Sequence, residues 1–400
     1  MDFRDTPEEA TFRSEVRTFI EGNLPRDWAR LNQGPVFAEE ATDDPVREAF
    51  LKQWRKALSG RGWVAPHWPK EYGGAGMSPG EQFIYNEEMA KHRAPSVGGG
   101  GVGMLGPTLI LYGTEEQKKE HLPGITSGEV SWAQGYSEPG SGSDLASLQT
   151  RAVRDGDDYI VNGQKIWSSG AHRADWMFML ARTDPDAPKH RGISMLLVPM
   201  KAPGISVQPL VDMAGDHVFN QEYFDDVRVP VKNRVGEENR GWYVGATLLD
   251  FERSNIGASI NLRNTVDDIT RFAYEASHSG SVPVRLDGRT KVELADRAIE
   301  ADIARLFSYR IISLQKRGQV PNYEASVNKM FRSETDQRLA QTGMKILNMY
   351  GNALRDERFA PLKSRISHMY LRTVASTIAA GTSEIQRNVI ATRGLGLPRG

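Results

Sequence analysis

Backbone is bared in the stretch TIAAGTSEIQRN, residues 377–388. Ala379, Ala380 and Gly381 bring no functional side chain, and Thr382 or Ser383 is placed to cap the helix that Glu384, Ile385 and Gln386 begin. Polar ligand atoms can approach such a turn closely, yet no acid, base or nucleophile stands in its bare part. A second loop, YSEPGSGSDLAS at 136–147, joins the turn-forming Glu138-Pro139-Gly140 to Gly142, Ser143 and Asp144. Its N–H groups and hydroxyls suit a heteroaromatic ring or a phosphate, and it suits an ordinary strand connection equally well. In NGQKIWSSGAHRADW, Trp167 stands beside Ser168 and Ser169, an aromatic wall next to hydroxyl donors, although a lone Trp reads first as core. A carboxylate for acid–base work lies in LDFER. By helical spacing Glu252 shares a face with Gly245, Leu249, Ile256 and Ser259, small and apolar surroundings that would partly desolvate it and raise its pKa. Taken alone, it reads as a solvated Glu paired with a nearby Arg.

Other chemistries find little support. The eight histidines are scattered, with no His-x-x-x-His pair, so no metal site is expected. The run Gly98 to Gly101, with Gly103, lacks both a Gly-Lys-Ser/Thr ending and a dinucleotide fingerprint, and reads as helix packing. Zero cysteines remove disulfides, thiolate nucleophiles and thiolate metal sites. A net charge of −1, from 50 basic and 51 acidic side chains, offers no footprint for nucleic acid or an anionic membrane. No apolar run is long enough to span a bilayer, and MDFRDTPEEATFRSEV resembles no leader peptide, so the cytoplasm is the expected location.

The elements that must position these residues fall into three blocks. From Pro7 to about Thr126 apolar residues recur at helical spacing, with Phe12, Val16, Phe19 and Ile20 as the first set. From about Ser131 the period changes to two, and Asp155-Gly156 and Asn162-Gly163 read as hairpin turns between short strands. After Gly241 the helical period returns and persists to the end. The expected class is α+β, mainly α. A helical domain over 1–128 leads to a central antiparallel β domain over 129–238 and a helical bundle over 239–400.

WPKEYGG, LYGTEEQKKEHLP, YSEPGSGSDLA, NGQKIWSS and GTSEIQR occur in the order and spacing of one family. On them the chain resembles an acyl-CoA dehydrogenase over essentially its whole length. The resemblance implies FAD, a C-terminal four-helix bundle and usually a tetramer. It implies flavin contacts at Gln134, Tyr136, Ser137, Gly142, Trp167, Ser169, Thr382 and Glu384, and substrate contacts at Ser143, Arg253 and Gly381. It further implies α,β-dehydrogenation of an acyl-CoA, with an electron-transfer flavoprotein as acceptor. Many members carry the base where this chain has Ala380. Members of the isovaleryl and long-chain type carry it in a pattern like LDFER, which assigns the role to Glu252. The Ala380 backbone N–H keeps an oxyanion role toward the thioester carbonyl.

Two family features are missing, and both normally reach a neighbouring subunit's FAD. HSGSVPVRLDG, at 278–288, replaces an Arg-x-x-Phe-Gly, and Leu347-Asn348-Met349-Tyr350-Gly351 replaces a Gln-x-x-Gly-Gly loop. The pattern is similar to the Glu-bearing subunit of bacterial heteromeric dehydrogenases acting on steroid side-chain CoA esters. It sets an α2β2 heterotetramer with a paralogue beside a homotetramer. A flavin monooxygenase and a non-catalytic subunit are the alternatives on the same fold.

Overall fold

In the computed structural model, which describes residues 4–26, 28, 45–248, 255–354 and 360–398, helices give way to strands and then to helices again. Helix α1 (Pro7–Asn23) opens on a capping box, Thr6 with Glu9, and has Pro7 in its first turn. After α2 (Pro45–Ser59), the same Ser/Thr-x-x-Glu/Gln logic starts α3 (Pro79–Lys91) at Ser78. A short α4 (Gly106–Tyr112) precedes α5 (Glu115–Ser127), whose box is Thr114 with Gln117. The sheet strands are β1 (Trp132–Gly135), β2 (Arg151–Asp155), β3 (Asp158–Ile166), β4 (Trp176–Arg182), β5 (Ile193–Pro199), β6 (Ile205–Val211), β7 (His217–Pro230) and β8 (Arg234–Val235). Helices α6 (Gly241–Leu248), α7 (Ile256–Ser279), α8 (Gly288–Gln315), α9 (Tyr323–Leu347), α10 (Arg365–Ser376) and α11 (Ser383–Val389) complete the chain.

These elements form two units. One comprises Met1–Phe50, Met77–Pro95 and Arg253–Gly400; the other comprises Leu51–Gly76 and Ser96–Glu252. In the first, α7 to α10 bury Leu262, Val266, Ile269, Leu294, Ala301, Leu339, Ile346 and Ile366 together. Each large aliphatic side chain buried in this way contributes about 1.5–3 kcal/mol. A neighbouring cluster joins Phe83 and Ala90 of α3 to Ile256 and Ile260 of α7 and Ile312 of α8. Asp268, buried on α7, is held by Arg93 at 2.8 Å and by Arg365 at 2.7 Å.

In the second unit the strands form one sheet in the order β6-β7-β3-β2-β4-β5-β8, with β1 also pairing β4. Most pairings are antiparallel, as expected, but β1 and β2 each run parallel to β4. The sheet is therefore mixed. Asp155-Gly156 does make the β2–β3 hairpin, with Gly156 at φ 63. Asn162-Gly163 does not make a turn: it lies within β3, where the pairing with β7 slips. Between Val161 and Gly163, β3 advances two residues while β7 runs from Val227 to Phe224. That extra residue in β7 is a bulge at Asp225-Asp226, with Asp226 at φ 47. Asn162 fastens it, donating to Asp226 Oδ1 at 2.9 Å and accepting from the Asp226 N–H at 2.9 Å. Beyond the bulge the buried side of β7 passes from Val229 and Val227 to Phe224, Glu222 and Asn220.

Of the glycine run, Gly101 packs closely, a Cβ there meeting Ile125 at 3.2 Å and Trp132 at 3.3 Å, whereas Gly99 and Gly103 face open space. Gly101–Leu105 is a π-helical turn leading into α4, and the Trp68 ring lies so close to Gly106 that a Cβ there would sit 1.7 Å from Trp68 Cζ2. No helix among the described residues is long and apolar enough to cross a membrane.

Candidate functional site

In the sheet unit, two adjoining segments carry the predicted ring contacts. Gln134 lies in β1; the chain leaves the strand after Gly135, passes Tyr136 and Ser137, and meets the end of β3 where the Ile166 N–H donates to Ser137 O at 2.9 Å. Tyr136 is buried with its ring edge-on to Phe178, and burial raises its phenol pKa. Lys165, fully buried, donates to Glu138 Oε1 at 2.8 Å and to Tyr136 O at 3.2 Å. Glu138 also accepts the N–H groups of Gln149 at 2.7 Å and Thr150 at 2.9 Å. Burial alone would raise the Glu138 pKa, but Lys165 and these donors hold it below the usual range. Burial pushes the Lys165 pKa down to about 8, against the pull of Glu138, so the pair is charged at neutral pH. One buried ion pair thus ties the Tyr136–Glu138 segment to β3.

The segment after β3 presents the aromatic wall. Trp167 sits at φ 66 with 58% of its surface exposed, between buried Lys165 and buried Ser168. The reading of a lone Trp as core does not hold, because the left-handed backbone turns the indole outward. Ser169 is exposed beside it, as are Gly142 and Ser143 on the neighbouring loop. A Cβ at Gly142 would meet open space, so the glycine leaves the tip unobstructed rather than relieving a clash.

The other unit holds the C-terminal turn. Ala380 and Gly381 both take positive φ, 54 and 85, and their carbonyls are occupied. Gln386 Nε2 donates to Ala380 O at 3.1 Å, and Lys329 Nζ donates to Gly381 O at 2.7 Å. Among the described residues the Ala380 N–H has no acceptor. Thr382 caps α11, accepting from the Ile385 N–H at 3.2 Å. Exposed Glu384 follows it, its pKa lowered by hydrogen bonds from its own backbone N–H and from Thr382. The turn thus offers backbone donors and no reactive side chain. Glu252 and Arg253 lie outside the described residues. Among those described, no three His, Asp or Glu side chains gather as a metal site.

Three models of one family cover the chain. The acyl-CoA dehydrogenase N-terminal domain matches residues 6–129, the middle domain 133–227 and the C-terminal domain 239–395. The chain belongs to the acyl-CoA dehydrogenase family. It is 36% identical over 401 residues to acyl-CoA dehydrogenase FadE26 of Mycobacterium tuberculosis, covering 98% of each chain. It is 35% identical to acyl-CoA dehydrogenase IpdE1 of the same organism, over 97% of each. Among solved structures it is similar to the Tcur3481-Tcur3483 steroid ACAD, with a TM-score of 0.84 and 35% identity over the whole of both chains. The ChsE4-ChsE5 complex from Mycobacterium tuberculosis gives a TM-score of 0.82 at 34% identity, again covering both chains entirely.

The family is flavin-dependent, and this dehydrogenase has residues that fit a flavin. An outward indole and exposed hydroxyls in the sheet unit match the flat face and the donors that an isoalloxazine ring requires. The segments that depart from the family pattern are ordinary connections in this dehydrogenase. Arg285 is bound to Asp287 at 2.9 Å, and Asp287 caps α8. Met349 stands exposed in the 3-10 turn Asn348–Asn352. Sequence reading missed Lys165, Glu138, Ser168, Asn220 and Glu222 as supports of the site. The signal for Lys165 was parity, since it shares the inward side of β3 with Tyr159 and Val161.

Proposed function

We propose that this acyl-CoA dehydrogenase oxidises the Cα–Cβ bond of an acyl-CoA thioester to the trans-2-enoyl-CoA, with Glu252 as base. FAD, when bound, supplies the acceptor that takes the β-hydrogen with its electron pair. Glu252 takes the α-proton, and the Ala380 N–H donates to the thioester oxygen as negative charge gathers there. Ser137 and Ser169 bond the ring system, and Trp167 covers it. The family resemblance assigns further flavin contacts to Gln134, Tyr136, Gly142, Thr382 and Glu384, and acyl-CoA contacts to Ser143, Arg253 and Gly381. The observation that carries the reading is the exposed Trp167, held left-handed beside buried Ser168 within a full-length family match. The indole meets the sheet edge-on at Phe219, with ring centroids 6.0 Å apart, and leaves most of its surface open to a ligand.

The absent Arg and Gln-Gly-Gly elements support assembly with a paralogous subunit that supplies them, as an α2β2 heterotetramer. The likeness to the Tcur3481-Tcur3483 steroid ACAD and to the ChsE4-ChsE5 complex supports the same assembly. An electron-transfer flavoprotein is the proposed acceptor, and a steroid side-chain thioester is the proposed substrate class. The test is to express the chain alone and with a paralogue, and to follow the flavin absorbance as acyl-CoA thioesters are added. Glu252→Gln should leave the flavin bound and abolish its reduction by substrate. Near-wild-type reduction by that variant would sink the assignment of the base.

A further inference from the structure

Buried polar groups that the proposed chemistry does not use stand behind the ring-flanking segment. Asn220 and Glu222 of β7 are fully buried, and both grip Ser168. The Ser168 N–H donates to Asn220 O at 3.3 Å, Asn220 Nδ2 donates to Ser168 O at 2.9 Å, and Ser168 Oγ donates to Glu222 Oε2 at 2.8 Å. Backbone and side chain of Ser168 are therefore fixed one residue from Trp167 and one from Ser169. An aromatic residue rarely keeps positive φ without such support.

The Asn220 amide cannot turn over. Its Oδ1 lies 3.2 Å from His172 Nδ1 and 2.8 Å from His217 Nε2, in rings stacked 4.0 Å apart. Arg173 Nε donates to His172 Nε2 at 3.0 Å, which places the ring proton on Nδ1, facing Asn220. Glu222 is held less completely. Lys165 is its cross-strand partner on β3, but the ammonium is committed to Glu138 and to Tyr136 O. Glu222 Oε1 has no hydrogen-bond partner and no contact with solvent. An ionised Glu222 would be a buried charge outside any ion pair, whereas the neutral acid suits the site.

We propose that Glu222 is a positioning residue for the flavin-flanking segment: its carboxyl, with Asn220, clamps Ser168 and so holds Trp167 and Ser169 against the ring, most firmly when protonated. This rests on the flavin-binding reading above. The charged or titratable groups around the carboxyl are Lys165 with Glu138 on one side, and His172, Arg173 and His217 through Asn220 on the other. Burial pushes the Glu222 pKa up to about 7, with the Ser168 hydrogen bond and the Lys165 charge opposing it. Because this lies above the ordinary value of 4.5, the clamp is complete below 4.5 and weakens as pH rises through about 7. A ring covering Trp167 excludes more water, so the bound form keeps the proton more strongly and FAD affinity falls across the same window.

The experiment uses the full chain, with its paralogous subunit where FAD loading requires one. Wild type, Glu222→Gln, Glu222→Val and Ser168→Ala are compared by FAD affinity from about pH 5.5 to 8.5 and by amide exchange of residues 166–172, corrected for intrinsic rates. Wild-type affinity should fall about tenfold between about pH 7 and 8, and Glu222→Gln should be flat across the range. Glu222→Val should bind FAD at least about tenfold more weakly at every pH and exchange faster over 166–172, with Ser168→Ala faster in the same segment. If Glu222→Val does not fold, Glu222→Gln and Ser168→Ala decide the matter. A wild-type pH slope in Glu222→Gln, or wild-type protection in Ser168→Ala, overturns the proposal. If no variant binds FAD, including wild type, the flavin-binding reading has failed, while the exchange comparison still decides whether Glu222 clamps the segment.

Discussion

Replacing Lys165 with methionine keeps most of the side-chain volume and removes one charge from beneath the ring-flanking segments. Glu138 is then left as a buried carboxylate with two backbone donors, the N–H groups of Gln149 and Thr150 at 2.7 and 2.9 Å. Breaking a buried pair by removing one partner costs about 3–5 kcal/mol, and the two remaining charge-assisted bonds put the expected loss near the low end. A loss of about 3 kcal/mol corresponds to about two powers of ten in a local opening equilibrium. Because a chain of 400 residues with two units need not unfold in one step, amide exchange at Thr150 is the right measurement. We expect exchange there to be about a hundredfold faster, and FAD affinity to fall because the Tyr136 carbonyl has lost its donor. Adding Glu138→Gln should cost less than the sum of the two single changes, since the uncompensated charge is then gone. In wild type the Glu138 pKa is depressed, so the protection is present above the ordinary carboxylate range and is lost as pH falls through the depressed value. In the methionine variant that loss should move to higher pH. Exchange within about threefold of wild type, or strict additivity in the double variant, would refute the reasoning.

Gly106→Ala should destabilise the sheet unit by about 1–3 kcal/mol or more, because the new methyl would collide with Trp68; a denaturant midpoint equal to wild type would contradict this. His67 is half-buried, with Nε2 out of solvent and unpartnered, and burial pushes its pKa down to about 4, below the ordinary 6.5. Stability is therefore full above pH 6.5 and falls as pH drops toward 4, by up to about 3 kcal/mol, and His67→Leu should flatten that acid limb in denaturant midpoints. Asp268→Asn leaves the Arg93 and Arg365 guanidinium groups without their carboxylate and should cost about 3–5 kcal/mol, measured by amide exchange in α7. Arg365→Met should cost less, because Arg93 still answers Asp268.

The helices were legible because their starts are written locally, as Thr6 with Glu9, Ser78 with Glu81 and Thr114 with Gln117 show. The β2–β3 turn was equally local. Misreadings arose where a partner strand decides. Asn162-Gly163 has the composition of a turn, but Asn162 spends both ends of its amide on Asp226, across the sheet. Only the end of β7 was legible as a strand, because Asn220 and Glu222 are polar residues on the inner side and break the expected alternation. The ring contacts of the candidate site, half-buried Ser137 and exposed Trp167 and Ser169, were found through motif order. Their buried supports were not, since a charged residue in a strand looks like surface until its partner, distant in sequence, is known.

The bulge at Asp225-Asp226 works as a parity switch. Upstream of it the inner side of β7 belongs to even-numbered residues, and downstream to odd-numbered ones. Deleting one of those two aspartates would leave a regular strand that still turns Phe224, Glu222 and Asn220 inward, whereas keeping both without the bulge would turn Gln221 and Tyr223 inward and Glu222 and Asn220 to solvent. The ring-flanking segment would then lose its anchors without any change to its own residues. An exposed acidic pair, remote from Trp167 in sequence and free of any chemistry of its own, thus sets which side chains stand behind the flavin wall.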